Sequence, residues 1–509
     1  MQQKILDLTQ KLMKIESISH TQDECHFEEE LLGIIQQWDY FKEHPQYCGM
    51  QEIEEDTLHR KNVYALVKGK EDQTLIMINH HDVVSLHAYG SLQEVAYDSD
   101  ALKKALLEED VEEEVKRDIL SNEWLFGRGS CDMKGGMAAE MVLLEEYAKH
   151  PGNVNLLFVS VCDEETYSKG MRHAQTLLAQ LKEAYGLNYV FAINPEPSAH
   201  VGRGHVGSFG SIGKCLAMLH VAGIPSHISA IENSINPISL LSEITRLIEC
   251  SEDFVDTYIK EKTTPPVFNY FRDSKDVYDY SVAHYASACC SVMMFDSSLE
   301  DVMRKLKEKC QKGIDYYHER QQLKMKECKR HYHQRDIAIY TFDELKKICA
   351  EKGVLPEMKL DEKFLFEGSR YIEQCLENVP EIQPCVVITF IPPYYPSILS
   401  SRINHERVDQ IAIQVDQVLR QENLHLQKEF YFQGVSDGSY LRKFDHRDLK
   451  YLMFDEKEYY LDHQLKEDIP VLLCGPWGKD LHLRSERVNI HSLCTTTYSI
   501  LETILNAFQ

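Results

Sequence analysis

The sequence predicts an α/β protein in which a mostly parallel, mixed sheet is flanked by helices and interrupted by an inserted, enlarged α+β lid domain. Three observations predict this. Short β-rich apolar runs alternate with helical patterns through residues 1–210, as expected of a parallel sheet covered by helices. From Gly213 the order becomes strand, helix, strand, helix, strand, which suits a small sandwich inserted into the first domain. After Pro396 a helix, a strand and a final helix follow. The expected division is a discontinuous first domain, 1–212 and 397–509, around a lid at 213–396.

In the first domain Asn62–Val67, Thr74–Asn79, Val154–Val161 and Tyr189–Asn194 read as strands. Helical patterns at Gly135–Lys149 and around Gly170–Leu181 lie between the last three. Ser85–Asn122 is a long interruption whose acidic run, Glu108–Glu114, reads as a solvated surface helix. In the lid, Lys214–Ala222, His284–Phe295 and Cys385–Phe390 read as strands, and Asn236–Glu249 and Ser298–Tyr317 as helices. His318–Glu381 is polar and helical, with no clear place in the sandwich. Further on, His405–Leu419 and Val488–Ala507 read as helices and Pro470–Cys474 as a strand.

A chain of 509 residues is long enough for two substantial cores. No apolar stretch approaches the length that crosses a bilayer. Met1–His20 reads as an amphipathic helix rather than an export signal, so a cytoplasmic location is expected. The net charge of −26 disfavours nucleic acid and acidic membrane surfaces as partners. The cysteine count, 15, is odd, none form Cys-x-x-Cys, and Cys289 and Cys290 are adjacent. Reduced, mostly buried thiols are expected.

Five motifs at the edges of apolar runs carry the chemistry. Thr74–Asn79 leads into His80-His81-Asp82. On an extended chain residues two apart share a face, so His80 and Asp82 point together and His81 points away. A ligand histidine needs its second ring nitrogen fixed, which Asp82 can do; His81 is the rival ligand. The glycine-rich stretch from Gly127 to Gly136 places Asp132 at a helix start, able to offer one oxygen to each of two cations. It lacks the Gly-Lys-Ser/Thr ending of a phosphate loop. The strand ending at Cys162 is followed by Asp163-Glu164-Glu165, three carboxylates that repel unless cations or solvent separate them. Glu196 closes the next strand, and His482 lies on a loop between a strand and a helix. Ligands at the carboxyl ends of strands are where open α/β sheets place their sites. Nitrogen and oxygen donors suit a pair of divalent cations, zinc being favoured and cobalt or manganese fitting the same set. A rival site at His331-Tyr332-His333 lies in a basic helical stretch and reads as a solvated face.

Together these residues resemble the co-catalytic zinc amidohydrolases of the aminoacylase, acetylornithine deacetylase, succinyl-diaminopimelate desuccinylase and glutamate carboxypeptidase family, with a zinc-exopeptidase-like fold. Thr389–Pro396 and the long lid look like the arginine-utilisation branch, the RocB-type proteins. The resemblance implies that His80 and Glu196 hold one zinc, Glu165 and His482 the other, and that Asp132 bridges them. It implies Asp82 as the residue that orients His80 and Glu164 as the general base. In the lid, Gly223-Ile224-Pro225-Ser226-His227 is similar to a family motif whose histidine stabilises the oxyanion, commonly from a partner subunit. Asn236 and the loop Ser436-Asp437-Gly438 match substrate-binding positions. Asn79 stands where the family has glycine, and no lid arginine that would clamp a substrate carboxylate is identified.

The expected function is hydrolysis of an amide bond in a small N-acyl amino acid or dipeptide, in arginine catabolism, by a homodimer formed through the lid. The alternatives are a dipeptidase or carboxypeptidase of the same family, and a non-catalytic metal-bearing binding protein of arginine metabolism.

Overall fold

The computed structural model describes residues 1–358, 364–443, 445–453 and 465–509. It divides into two compact units. The first is Met1–Ser211 with the described residues of Ile398–Phe444 and Leu461–Gln509; the second is Ile212–Ser397 with those of Asp445–Tyr460. By sequence, everything after 396 is expected to return to the first domain. The stretch from Asp445 departs from that because Met453 is buried in the core of the second unit and its amide donates to the Phe390 carbonyl at 2.7 Å.

The first unit is built on a nine-stranded mixed sheet. Its path runs Cys48–Glu52, Lys61–Val67, Asn155–Val161, Gln73–His80, Asn188–Asn194, Val471–Leu473, Gly204–Ser208, His425–Glu429, with His200–Val201 paired to Gly204–Ser208 off the path. The four strands from Asn155–Val161 to Val471–Leu473 are mutually parallel. Lys61–Val67 joins them antiparallel on one side, and Gly204–Ser208 on the other. Asn155–Val161 is buried at every residue, as is Gln73–His80 after its first. Strands covered on both faces lose the alternation of polar and apolar residues and read as continuous apolar runs. Helix Lys134–Lys149 buries Met137, Met141 and Leu144 in the core that also holds Leu75, Met77, Leu156 and Phe158.

The interruption at Ser85–Asn122 is not simply solvated. It forms a 3₁₀ segment, Leu86–Val95, and two α-helices, Ser99–Glu108 and Glu113–Ser121. Tyr89, Leu102, Leu106, Val115 and Ile119 form an apolar cluster with Trp124 and Phe126. The acidic run spans the break between the helices, so both keep an apolar face that a single charged helix would lack. The C-terminal helix pattern also divides: Arg487–Asn489 is a strand, followed by a π-helical turn at Ser492–Thr497 and an α-helix at Tyr498–Asn506.

The second unit has a five-stranded sheet in the order Val267–Asp273, Tyr285–Met294, Gly213–Ala222, Cys385–Tyr395, Ala338–Thr341. Only the last pairing is parallel. Helices Pro237–Ile248 and Leu299–Glu327 belong to this unit. Of the stretch His318–Glu381, residues 359–363 lie outside the described residues. The rest finishes the long helix, adds the edge strand Ala338–Thr341 and supplies helices Phe342–Glu351 and Phe364–Glu377. All fifteen cysteines are free, and twelve are buried. No helix among the described residues is long and apolar enough to cross a membrane.

Candidate metal centre

The four parallel strands end on one side of the first unit's sheet, and each delivers part of one cluster. His80 is the last residue of Gln73–His80, Glu164 and Glu165 follow Asn155–Val161, Glu196 follows Asn188–Asn194, and the loop after Val471–Leu473 carries His482. Asp132 precedes helix Lys134–Lys149. Gly136 of that helix is required by close approach, since a Cβ there would stand 2.4 Å from the Pro195 carbonyl oxygen. The helix start thereby sits against the turn that carries Glu196.

His80 Nε2 lies 3.1 Å from Asp132 Oδ1 and 3.9 Å from both Glu164 Oε2 and Glu196 Oε2. His482 Nε2 lies 3.3 Å from Asp132 Oδ2 and 3.1 Å from Glu165 Oε2. Asp132 therefore divides its two oxygens between two histidines. His80, Asp132 and Glu165 each offer a donor atom within 4.8 Å of the others. Imidazole nitrogens and carboxylate oxygens at this spacing fit divalent cations of the zinc type. His81 turns away: its Nδ1 is 3.1 Å from Ser160 Oγ, and its ring stacks on Phe27.

Electrostatics mark the cluster. Burial, joined by repulsion from neighbouring acids, pushes Glu164 well above the ordinary carboxylate range and Glu196 up to about 8. Glu165 is raised for the same reasons, although His482 and His80 draw it down. Burial works to raise Asp132 too, but hydrogen bonds from His482 and His80 outweigh it and hold its carboxyl low. Hydrogen bonds to Asp132 and Glu165 raise His482 to about 10. Buried acids of this number are stable as anions only beside positive charge, which cations would supply.

Asp82 has two jobs rather than the one expected. The His80 Nδ1 atom is 3.0 Å from the Asp82 main-chain carbonyl and 3.5 Å from its carboxylate. The carboxylate mainly accepts from Glu164 N at 3.0 Å, Glu165 N at 3.2 Å and Ser19 Oγ at 2.7 Å. It thus fixes the turn on which the two glutamates stand. Asp163, first of the acidic triplet, points elsewhere. Its backbone is left-handed (φ 68°), and its carboxylate accepts from Arg60 Nη1 at 3.0 Å and Lys169 N at 3.0 Å. The three acids are separated by facing three different cationic or donor groups.

Arg60 was not foreseen. Its side chain is 2 % exposed and also pairs with Asp56 and Glu24, 2.8 and 3.1 Å away. Glu24 in turn accepts from the Asp163 amide at 3.1 Å. Partners 4, 36 and 103 residues away leave no local pattern to read. A second staple joins the Asp132 and His482 loops. Arg128 pairs with Glu486 and donates from Nη2 to the His482 carbonyl at 3.0 Å. Both residues flank motifs visible in the sequence, which was the available signal.

One consequence is a pH dependence. Burial raises Asp56, but the Arg60 hydrogen bonds outweigh it and hold the carboxyl at about 2, below its ordinary 3.8. A folded-state pKa below the unfolded value stabilises fully above about 4 and loses that stabilisation as pH falls towards 2. Asp56→Asn is expected to cost about 2 kcal/mol at pH 7 and almost nothing at pH 2, measured by urea unfolding. Equal loss at both pH values refutes it.

The remaining predicted residues fall in two places. Ser436 is buried in the first unit, where its Oγ accepts from Asn194 Nδ2 at 3.2 Å and from Gly438 N at 3.1 Å. Asp437 is buried, and burial pushes its carboxyl up to about 7 while His80 draws it down. His227 and Asn236 are in the second unit. The exposed His227 pairs with Ser229 Oγ at 2.7 Å. Asn236 caps helix Pro237–Ile248, accepting from Ile238 N and Ser239 N at 3.0 and 3.4 Å. Its side-chain oxygen is committed to that cap.

Fold and cluster together define a metal-dependent hydrolase of the co-catalytic type. The family model for peptidase family M20/M25/M40 matches residues 96–473; the chain belongs to this family and is a hydrolase of amide bonds. The uncharacterised protein YqjN of Bacillus subtilis is 28% identical over 95% of this chain and 92% of its own length. Protein RocB of the same organism is 25% identical over 94% and 90%. A succinyl-diaminopimelate desuccinylase of Stenotrophomonas maltophilia is 36% identical over 22% of this chain and 30% of its own. Among solved structures, an M20 metallo-carboxypeptidase of Sulfolobus solfataricus covers 98% of each chain with a TM-score of 0.57 at 12% identity. A Staphylococcus aureus tripeptidase covers 100% and 99% with a TM-score of 0.55 at 15% identity. At these identities the likeness is one of fold.

Proposed function

We propose that the protein hydrolyses the amide bond of a small N-acyl amino acid or dipeptide at two divalent cations, with zinc the favoured metal. The observation that carries this is the division of Asp132 between His80 and His482, with Glu164 held beside them on amides fixed by Asp82. His80, Glu196 and one Asp132 oxygen would hold the first cation; Glu165, His482 and the other oxygen the second. The pair, when bound, acidifies water and polarises the scissile carbonyl.

The chain's own groups do the rest. Glu164 takes the proton from the attacking water and passes it to the leaving amine. Its largely enclosed setting among other acids keeps its proton affinity high, as a base operating near neutrality needs. His227, carried over by resemblance, is assigned as donor to the developing oxyanion, within one chain or from a second copy in a homodimer. Ser436, Asp437, Gly438 and Asn236 are assigned to the substrate side. A role in arginine catabolism is carried over from the resemblance to the RocB-type branch, which the likeness to RocB supports.

A dipeptidase is the second reading, favoured by the fold likeness to a dipeptidase, Dug1p, of Saccharomyces cerevisiae. The test is a panel of N-acetyl and N-succinyl amino acids against dipeptides, after dialysis into zinc, cobalt or manganese. Turnover of acylated amino acids with about two cations per chain is the expected result. Turnover of dipeptides alone selects the second reading, and uptake of only trace metal, or turnover of neither class, overturns both.

A further inference from the structure

His482 differs from the other candidate ligands in how it is held. Its side chain is 48 % exposed, whereas those of His80, Asp132, Glu165 and Glu196 are at most 12 % exposed. It stands on the irregular turn between Gly478–Lys479 and Arg487–Asn489. Within that turn Asp480 and His482 are both left-handed, with φ of 56° and 66°. Outside glycine that conformation is uncommon, and aspartate and histidine are among the residues that adopt it most readily, so the turn is irregular without being strained. A metal ligand on an exposed, irregular turn needs a brace.

The Ser85–Asn122 insertion supplies one. Asp118, on helix Glu113–Ser121, accepts from Arg487 Nε at 2.7 Å and from Lys479 Nζ at 2.9 Å. It grips both ends of the turn with one carboxylate oxygen. Glu114, one helical turn earlier, accepts from Lys479 Nζ at 2.7 Å, and Glu109 pairs with Arg484. Arg487 is almost wholly buried, its guanidinium 5.5 Å from the ring centres of Trp124 and Phe126, and also pairs with Asp480. Three acids of the insertion meet three bases of the turn, over a shared apolar floor.

We infer that the Ser85–Asn122 insertion is a strut for the second cation site, and that Asp118 is the positioning residue that fixes the His482 turn. This rests on the two-cation reading. Groups that orient metal ligands without touching the metal change affinity by about 10–100-fold when removed, and Asp118 acts through Lys479 and Arg487 in that way. Its removal leaves Arg487 paired with Asp480, so the buried guanidinium is not stranded.

The test is stepwise titration of the metal-free full-length protein with Co2+, followed by visible absorption and calorimetry. Asp118→Ala is expected to bind the first equivalent as the parent does and the second about tenfold more weakly. Asp118→Glu is expected to restore most of that loss. Glu113→Gln, on an exposed pair with Lys116 of the same helix, is expected to change neither equivalent. If Asp118→Ala binds both equivalents like the parent, or weakens both equally, the strut is refuted while the two-cation centre stands. A parent that takes up no cation refutes both.

Discussion

Glu164→Gln is expected to keep both cations and to lose turnover by roughly a thousandfold. The amide matches the carboxylate in shape, and Glu164 N remains bonded to Asp82 Oδ1 at 3.0 Å, so the side chain stays in place. What it loses is the capacity to accept a proton from water. The carboxylate, 12 % exposed, stands beside Glu196, Asp437 and Glu165, all of which oppose its charge, while His80 favours it. Removing one negative charge from that group relieves repulsion, so the metal-free variant is expected to unfold at no lower temperature than the parent. Metal content, kcat and thermal unfolding measured together separate the outcomes. Full turnover with full metal removes Glu164 from the chemistry. Loss of metal with loss of turnover makes it a ligand instead of a base.

How far such roles are legible in sequence depends on how local their cause is. The strand at Gln73–His80 and the helix at Lys134–Lys149 were readable to within a residue or two, because continuous apolar runs and glycine-flanked starts are local signals. The motifs that carry the candidate ligands stood out because each abuts such a run. The Asn79 departure becomes intelligible only in three dimensions, where Asn79 Nδ2 donates to buried Glu140 at 2.7 Å from helix Lys134–Lys149. Arg60 was illegible for the same reason: its partners are dispersed, and one lies 103 residues on. The division of Asp82 between a carbonyl and a carboxylate was equally hidden, since residue spacing fixes a face and not which atom of it is used. Trp124 and Trp477 show the limit most plainly. They pack edge to face at 4.7 Å although 353 positions apart in sequence, and on them rests the insertion that the acidic run made look merely solvated.

The largest loss of metal is expected from Asp132. On the two-cation reading proposed above, His482→Ala removes a ligand from one side of the cluster only, so one cation is expected to remain on His80, Glu196 and Asp132. Asp132→Ala removes the group that both histidines face, at 3.1 and 3.3 Å. Both equivalents are then expected to weaken by more than about a hundredfold, with activity at the detection limit. Its loop remains stapled, because Glu486 accepts from the Asp132 and Cys131 amides regardless of the side chain. The loss therefore reports on ligation and not on collapse of the loop. Stabilisation by bound metal follows mass action, so the rise in unfolding temperature on adding Zn2+ should be abolished in Asp132→Ala and reduced in His482→Ala. An Asp132→Ala protein that still gains the parent's full thermal shift would show that the two oxygens serve the histidines alone, as ordinary hydrogen-bond acceptors, and that no bridge exists.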